Sequence, residues 1–308
     1  MAVINTIASK SAGCGGGAIN TGDLGCDISF GLVIHALGFA KGTVISKDVE
    51  LTLALIEELV QKGEVIPLMD AFSSEPTMSE DTLETSPLGV EALTLKGLPK
   101  YSLTMKKGQE YYKEMAKLTG FGNINYVLGD VNGNWKFAVN GDGNFTGFTA
   151  GQTLAAITTP ATATETEKKT FTFQLTDRTQ IDSTYAVVEA ANAFPISNVT
   201  GVNGVEFSFA DANGAVVPAS GDVTLKVKAV LSSDRITDIE GLVLADFNTS
   251  AGTISAISDD GNGFYTLTVS ALSTGLLTVK TKDSTLGTDV IANSNVLFKS
   301  NLLSATVA

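Results

Sequence analysis

The sequence predicts a mainly β protein: an N-terminal antiparallel β-sandwich or barrel flanked by two helices, followed by a second, C-terminal β-sandwich. Three observations carry this expectation. Short segments alternating apolar with polar side chains recur along most of the chain, the period-2 pattern of half-buried strands. Gly/Asn-rich turns separate them, and helical spacing is confined to Ser46 to Gly63 and to about Lys107 to Leu118. The composition agrees, since 308 residues with 44% hydrophobic and 17% charged residues are rich in core and poor in solvated surface.

Charge excludes one class of partner. A formal net charge of −13 and a pI near 4.5 argue against tight binding to a phosphate backbone, which needs clustered Lys and Arg. No apolar run reaches the roughly 18 residues of a membrane-spanning helix, so no membrane is expected as a partner. The start, MAVINTIASKSAGCGGG, lacks the charged and then continuously apolar pattern of a secretion signal, so assembly in a cytoplasm is expected. Cys14 and Cys26 lie close together in a Gly-rich stretch. A disulfide between them is geometrically open, and the missing signal weighs towards free thiols. Two cysteines and a distant His35 cannot complete a four-ligand zinc site without borrowed carboxylates.

In chain order, residues 1 to 25 are small, Gly-rich and weakly patterned, and read as an arm held by neighbours. Cys26 to Ala40 is apolar on both faces, which suits a strand buried on both sides or one that passes through an interface; His35 within it reads as a structural residue. Ser46 to Gly63 reads as a helix capped by Ser46, with Val49, Leu53, Ile56 and Val60 on one row, Leu51, Leu55 and Leu59 on a second, and Lys62-Gly63 as the stop. A strand at Glu64 to Met69 leads into Ala71 to Gly89, which has acidic and hydroxyl residues, two prolines and no periodicity. That segment reads as a long loop, and loops of such length usually serve contact. Glu80, Asp81 and Glu84 within it read as a solvated or interfacial acidic group and not as an acid-base pair.

Lys100 to Lys106 alternates strictly, with Tyr101, Leu103 and Met105 to one side and Ser102, Thr104 and Lys106 to the other. The second helix ends at Gly120 and presents Tyr111, Met115 and Leu118. Asn123 to Phe148 then holds the clearest pair of facing strands. Ile124, Tyr126 and Leu128 alternate on one run and Trp135, Phe137 and Val139 on the next; Asn132-Gly133 sits where a tight hairpin needs two positive-φ residues. The turn Asn140 to Gly143 follows and returns Phe145 and Phe148, so the expectation is one aromatic face. Gly151 to Lys169 is a Thr/Ala-rich connector, Thr170 to Thr176 is a strand with Phe171, Phe173 and Leu175 inward, and Ser183 to Ala190 closes the unit.

The domain boundary falls near Ala191 to Ser197, at Pro195, giving domains 1–193 and 196–308. Beyond it only short alternating strands occur. Val205, Phe207 and Phe209 lead to a turn at Asp211 to Gly214; Val223, Leu225, Val227 and Ala229 form a second face, and Tyr265, Leu267 and Val269 follow the Gly/Asp turn at 259–263. The passage GFYTLTVSALSTGLLTVK resembles the closing strands of bacterial and phage immunoglobulin-like modules, which implies an immunoglobulin-like β-sandwich.

Known catalytic patterns are absent: GxSxG, HExxH and GxxxxGK[ST] do not occur, and a triad would depend on His35 alone. Asp130 to Asn134, Asn140 to Asn144 and Asp259 to Asn262 begin like calcium loops. The positions that an EF-hand loop fills with Gly and a bidentate Glu are here Trp135 and Gly141, so turn chemistry is expected. No catalytic, cofactor-binding or metal-binding residue is assigned, no cofactor is expected, and an enzyme is not.

The order of an apolar strand near GCDISFG, a helix, an acidic segment EDTLETSPLG, an alternating strand ending in Lys, a short helix, and then YVLGDVNGNW with NGDGNFTGF resembles tailed-bacteriophage virion structural proteins. The likeness is to tail-tube-like subunits from phages of Bacteroidota and spans about 190 residues. It implies stacked hexameric rings of self-associated subunits around a channel through which DNA passes transiently and without specificity, together with other virion proteins as partners and the virion tail as location. It further implies inter-subunit contacts through residues 1 to 25 and Ala71 to Gly89, with Ile4, Ile7, Phe72, Met78, Leu83 and Leu88 as candidates, and an immunoglobulin-like decoration at the C-terminus. An acidic chain suits a channel in which DNA slides without sticking. Two alternatives stay open: a capsid decoration or head-associated protein, and a surface adhesin or carbohydrate-binding protein acting through the loops of the second domain.

Overall fold

The computed structural model describes residues 30–85, 91–95, 97–121, 124–188, 199, 201–210, 216–217, 222–270, 274–293 and 296–307. The protein is mainly β, and its chain divides into two compact units near Val199. No described helix is long and apolar enough to cross a membrane. Cys14, Cys26, Ile4, Ile7 and Leu88, and the turn expected at Asp211 to Gly214, lie outside the described residues.

The first unit is built from two antiparallel sheets. One contains β1 (Val33–Ala40), β2 (Val65–Leu68), β8 (Ile124–Asp130), β9 (Trp135–Val139) and β10 (Phe145–Thr146) in the order β10-β9-β8-β1-β2, with β13 (Tyr185–Val188) added along β9. The other runs β3 (Ser73–Met78), β6 (Pro99–Met105), β12 (Lys169–Leu175), β11 (Ala150–Ala155) and β7 (Gly120–Phe121). Among the described residues, strands β4 (Thr82–Thr85) and β5 (Glu91–Leu95) pair with each other. Among the described residues the helices are α1 (Leu53–Gln61), α2 (Gln109–Ala116) and the single-turn α3 (Arg178–Asp182).

Alternation in β6 and β12 does what the pattern requires. Leu103, Met105, Phe171, Phe173 and Leu175 are buried in the core, while Ser102 and Thr104 pair hydroxyl to hydroxyl with Thr172 and Thr170 on the outer face, each at 3.2 Å. Tyr126 of β8 joins that core, stacked on Phe173 with centroids 4.1 Å apart and edge-on to Phe171. Its hydroxyl shares a buried 2.9 Å hydrogen bond with Thr153, and burial raises its pKa to about 12. Helix α2 contributes Met115 and also Tyr112, which the helical spacing had not singled out.

The central hairpin departs from expectation in one respect that changes both faces. Leu128 stands opposite Lys136 and Gly129 opposite Trp135, so Tyr126 and Leu128 share a face with Ala138, while Trp135 and Phe137 share the other with Val127. The aromatic side chains therefore go to both sides of the sheet. Phe148 lies with Tyr126 in the sandwich core, whereas Phe145 meets Phe137 at 5.4 Å and Phe39 meets Phe137 at 6.5 Å on the opposite face. The cause is the turn. Only Gly133 has positive φ; Asn132 does not. The Gly133 N–H donates to Asp130 O and the Asp130 N–H to Asn134 O, which makes a three-residue loop in place of the expected two-residue one. One added residue reverses which side chains face in. Because both faces are covered, β1 is buried along nearly its whole length, as its two-sided apolar run predicts.

Two further expectations need correction. The first helix begins at Leu53, not after Ser46: Thr52 is its cap, its hydroxyl accepting the Leu55 N–H at 3.2 Å. Ser46 instead closes a turn, accepting the Asp48 N–H, and Lys47 is held by Asn144 and by the Asp142 carbonyl. Val49, assigned to the buried row, is exposed. The helix does stop at Gly63, whose φ of +75° lets the Glu64 N–H reach Leu59 O. Ala71 to Gly89 is not a structureless loop either. It supplies β3, an outer strand of the second sheet, and β4 of the two-stranded ribbon. Pro76 hid the strand from a pattern search, yet proline is compatible with a sheet edge because no ladder donor is needed there.

The second unit is an immunoglobulin-like β-sandwich. β14 (Val202–Phe209), β16 (Val223–Leu231), β18 (Thr253–Gly261), β19 (Phe264–Ser270), β21 (Val290–Asn293) and β22 (Val296–Ser300) form one sheet in the order β18-β19-β16-β14-β22-β21. β15 (Val216–Val217), β17 (Phe247–Thr249), β20 (Gly275–Thr281) and β23 (Leu303–Val307) form the other, in the order β15-β23-β20-β17. The predicted inward rows, Val223 to Ala229 and Tyr265 to Val269, fill its core, where Phe207 stacks on Phe247 at 5.5 Å. The Tyr265 hydroxyl donates to Ile239 O and accepts from the Leu242 N–H, and burial raises its pKa to about 12.

Candidate assembly surface

Of the six residues expected to make inter-subunit contacts, three are described, and all three are exposed: Phe72 at 64%, Met78 at 61% and Leu83 at 55%. They follow one another along a single segment. Phe72 precedes β3, its ring beneath the Lys106 ammonium at 3.4 Å, and its backbone N–H donates to Thr104 O. Met78 ends β3, opposite Pro99 of β6. Along β3 the residues from Glu75 onward are exposed, and among the described residues the strand is terminal in its sheet, with no ladder partner on its outer side.

After β3 the chain narrows into a neck before the ribbon. Ser79 Oγ accepts the Leu98 N–H at 2.9 Å, and the Asp81 carboxylate accepts the Gly97 N–H at 2.6 Å and a hydrogen bond from Arg178 Nη1 at 2.5 Å. Arg178 also binds Asp182 through Nε at 2.9 Å, and these two carboxylates, Asp182 first, hold the guanidinium pKa above its usual value. Thus Asp81 belongs to a structural clamp rather than to an acid-base pair, and Glu80 is exposed. Arg178 is a residue that pattern reading missed. Its local signals were Asp177, which caps α3 by accepting from Thr179 and Gln180, and the four-residue spacing to Asp182; its long-range partner is 97 residues away.

Beyond the neck, β4 and β5 pair Leu83 with Leu93 and Thr85 with Glu91. A two-stranded ribbon is marginal by itself in water.

The turns that begin like calcium loops are filled by their own chain. Asp130 is fully buried, and its two oxygens accept from Asn132 N, Asn134 N, Asn134 Nδ2 and Gly31 N, all within 2.7 to 2.9 Å. Asn140 Oδ1 repeats half of this arrangement with Asp142 N and Asn144 N. In the third turn Asp259 accepts from Gly241 and Gly261, and Asp260 from Ser258 and Thr266. Among the described residues no group of three or more His, Cys, Asp and Glu is placed to hold a metal ion.

His35 is buried in β1 at 8% exposure. Its Nδ1 accepts the Asp70 backbone N–H at 3.0 Å and lies 3.7 Å from the Asp70 carboxylate, which also meets Lys107 at 3.5 Å. A partner that the sequence did not reveal is therefore present. Burial pushes the His35 pKa below its ordinary value; Asp70 and Asp130 oppose the shift and Lys107 adds to it.

No protein-family model matches the chain, and no curated protein does. Among solved structures it is similar to the Bacteroides ovatus mixed-linkage glucan utilization locus protein SGBP-B, solved with a mixed-linkage heptasaccharide, at 13% identity and a TM-score of 0.21. The match covers 79% of this chain and 62% of that one, less than two thirds of its length. A likeness of that size carries no argument about ligand or partner.

Proposed function

We propose that this chain is a structural subunit that associates with copies of itself, as a tail-tube-like protein of a tailed bacteriophage whose second unit is an added decoration. The observation that supports this reading is the segment from Phe72 to Leu83, which exposes three large apolar side chains along a strand that is terminal in its sheet and into a ribbon of two strands, among the described residues. Both features carry a cost in an isolated chain, and a neighbouring subunit removes it by pairing the edge and covering the ribbon. Function on this reading is shape: hexameric rings stacked into a tube, DNA passing through the channel, other virion proteins at its ends, no reaction catalysed. The ring and tube of this reading rest on the resemblance in the order of elements, and the exposed segment supports the choice of contact.

Negative-stain imaging of the purified full-length chain tests it, with rings or tubes that have a central hole as the expected result. The triple variant F72S/M78S/L83S alters only exposed side chains, so its circular dichroism should match the parent while the rings are lost. A parent protein that stays a dispersed monomer at high concentration overturns the reading.

A further inference from the structure

The single histidine of this chain sits where β2 hands over to β3, and the bond it makes exists in one protonation state only. A ring nitrogen that accepts a hydrogen bond carries no proton, so the contact from the Asp70 N–H to Nδ1 requires neutral imidazole with its proton on Nε2. Asp70 has φ of +56°, the left-handed region, which a residue with a Cβ enters at a cost of roughly 1 kcal/mol and keeps only where its surroundings hold it. The residues that follow carry the junction onward: the Ala71 N–H donates to Ile34 O at 2.9 Å and the Phe72 N–H to Thr104 O at 2.8 Å, after which β3 begins. The charged groups around the ring come from each neighbouring element. They are the Asp70 carboxylate at the junction, Asp130 at the end of β8 and Lys107 ahead of α2, while Tyr111 on α2 is influenced by Asp70 in turn.

We propose that His35 and Asp70 form a proton-controlled latch on the outer strand β3. Neutral His35 holds the β2–β3 junction by accepting the Asp70 N–H. When Nδ1 takes a proton from solvent it becomes a donor, the Asp70 N–H loses its acceptor, and the new N–H turns to the Asp70 carboxylate, now 3.7 Å away and shared with Lys107. The left-handed conformation at Asp70 then loses one of the contacts that hold it, and the start of β3 is released. Burial favours the neutral ring in the closed form, so protonation and opening are coupled. The folded pKa lies below the unfolded one; the latch is therefore fully closed above the ordinary histidine pKa of about 6.5 and weakens as pH falls from there towards the folded value. The latch stands apart from the assembly reading, because it is read on the strand itself and not on rings.

Hydrogen exchange of the full-length chain, corrected for intrinsic exchange rates, tests it at pH about 7.5 and about 5, on either side of the unperturbed histidine pKa. Protection of the amides of Asp70 to Phe72 should fall on the order of tenfold, the loss expected when one backbone hydrogen bond is broken. Asp70→Asn keeps the backbone N–H and a residue type that tolerates positive φ, so it should fold, and loss of the carboxylate should move the fall to lower pH. Corrected protection that is constant across the range overturns the latch. So does an Asp70→Asn variant whose transition does not move, or a ring 15N spectrum showing Nδ1 protonated at neutral pH.

Discussion

Asp130 shows how a single buried carboxylate can set the geometry of a sheet. It stands at the last position of β8 and gathers four N–H groups, two from its own turn backbone, one from the Asn134 side chain and one from Gly31. That arrangement favours the three-residue loop with Gly133 at positive φ, and the loop decides that Trp135 faces the side opposite Tyr126. Alanine at position 130 leaves those donors without an acceptor inside the protein. The expected loss is about 3 kcal/mol, given that hydrogen bonds to a charged group contribute about 1.5–3 kcal/mol each and the losses are not additive. Trp135 is the only tryptophan and lies in the first unit, so its fluorescence in a urea titration reports the unit concerned. Asparagine at the same position retains part of the acceptor set and should recover some of the loss.

At the scale of elements, helix α1 separates two residues that look alike in sequence. Ser46 and Thr52 both precede apolar periodicity, and only Thr52 accepts an N–H from the first turn of the helix. Thr52→Ala should destabilise the first unit by about 1 kcal/mol, the usual loss of a cap, and Ser46→Ala by less than about 0.5 kcal/mol. Equal effects in the same fluorescence titration would place the helix start where the pattern first suggested. Strand β3 teaches a different lesson. Its Ser-Ser-Glu-Pro-Thr-Met has neither alternation nor strong strand propensity, and it pairs with β6 because β6 offers an open edge. Pairing of that kind is a tertiary event and leaves no local trace. In contrast, β6, β12, β16 and β19 each bury one face against a facing sheet, and that constraint writes itself into every second residue.

For the whole molecule the governing quantity is a net charge of −13 on a surface with few charged residues. Copies of such a chain repel one another at long range, while the apolar contacts from Phe72 to Leu83 act only at short range. Self-association should therefore strengthen when salt is raised from about 0.01 M to about 0.5 M, as the screening length contracts from about 30 Å to a few ångströms. Sedimentation velocity across that range checks it, and association that weakens with salt would indicate that ion pairs, not apolar side chains, hold the copies together.

The mainly β fold class and the inward rows of the best-patterned strands were legible in the sequence, because each follows from burial of one strand face. Tertiary structure alone decided the hairpin register, the use of Ser73–Met78 as an outer strand, the Asp81 to Arg178 clamp and the Asp70 partner of His35. These depend on which distant backbone or side chain fills a remaining hydrogen bond, and a residue's own neighbours in sequence do not encode that choice.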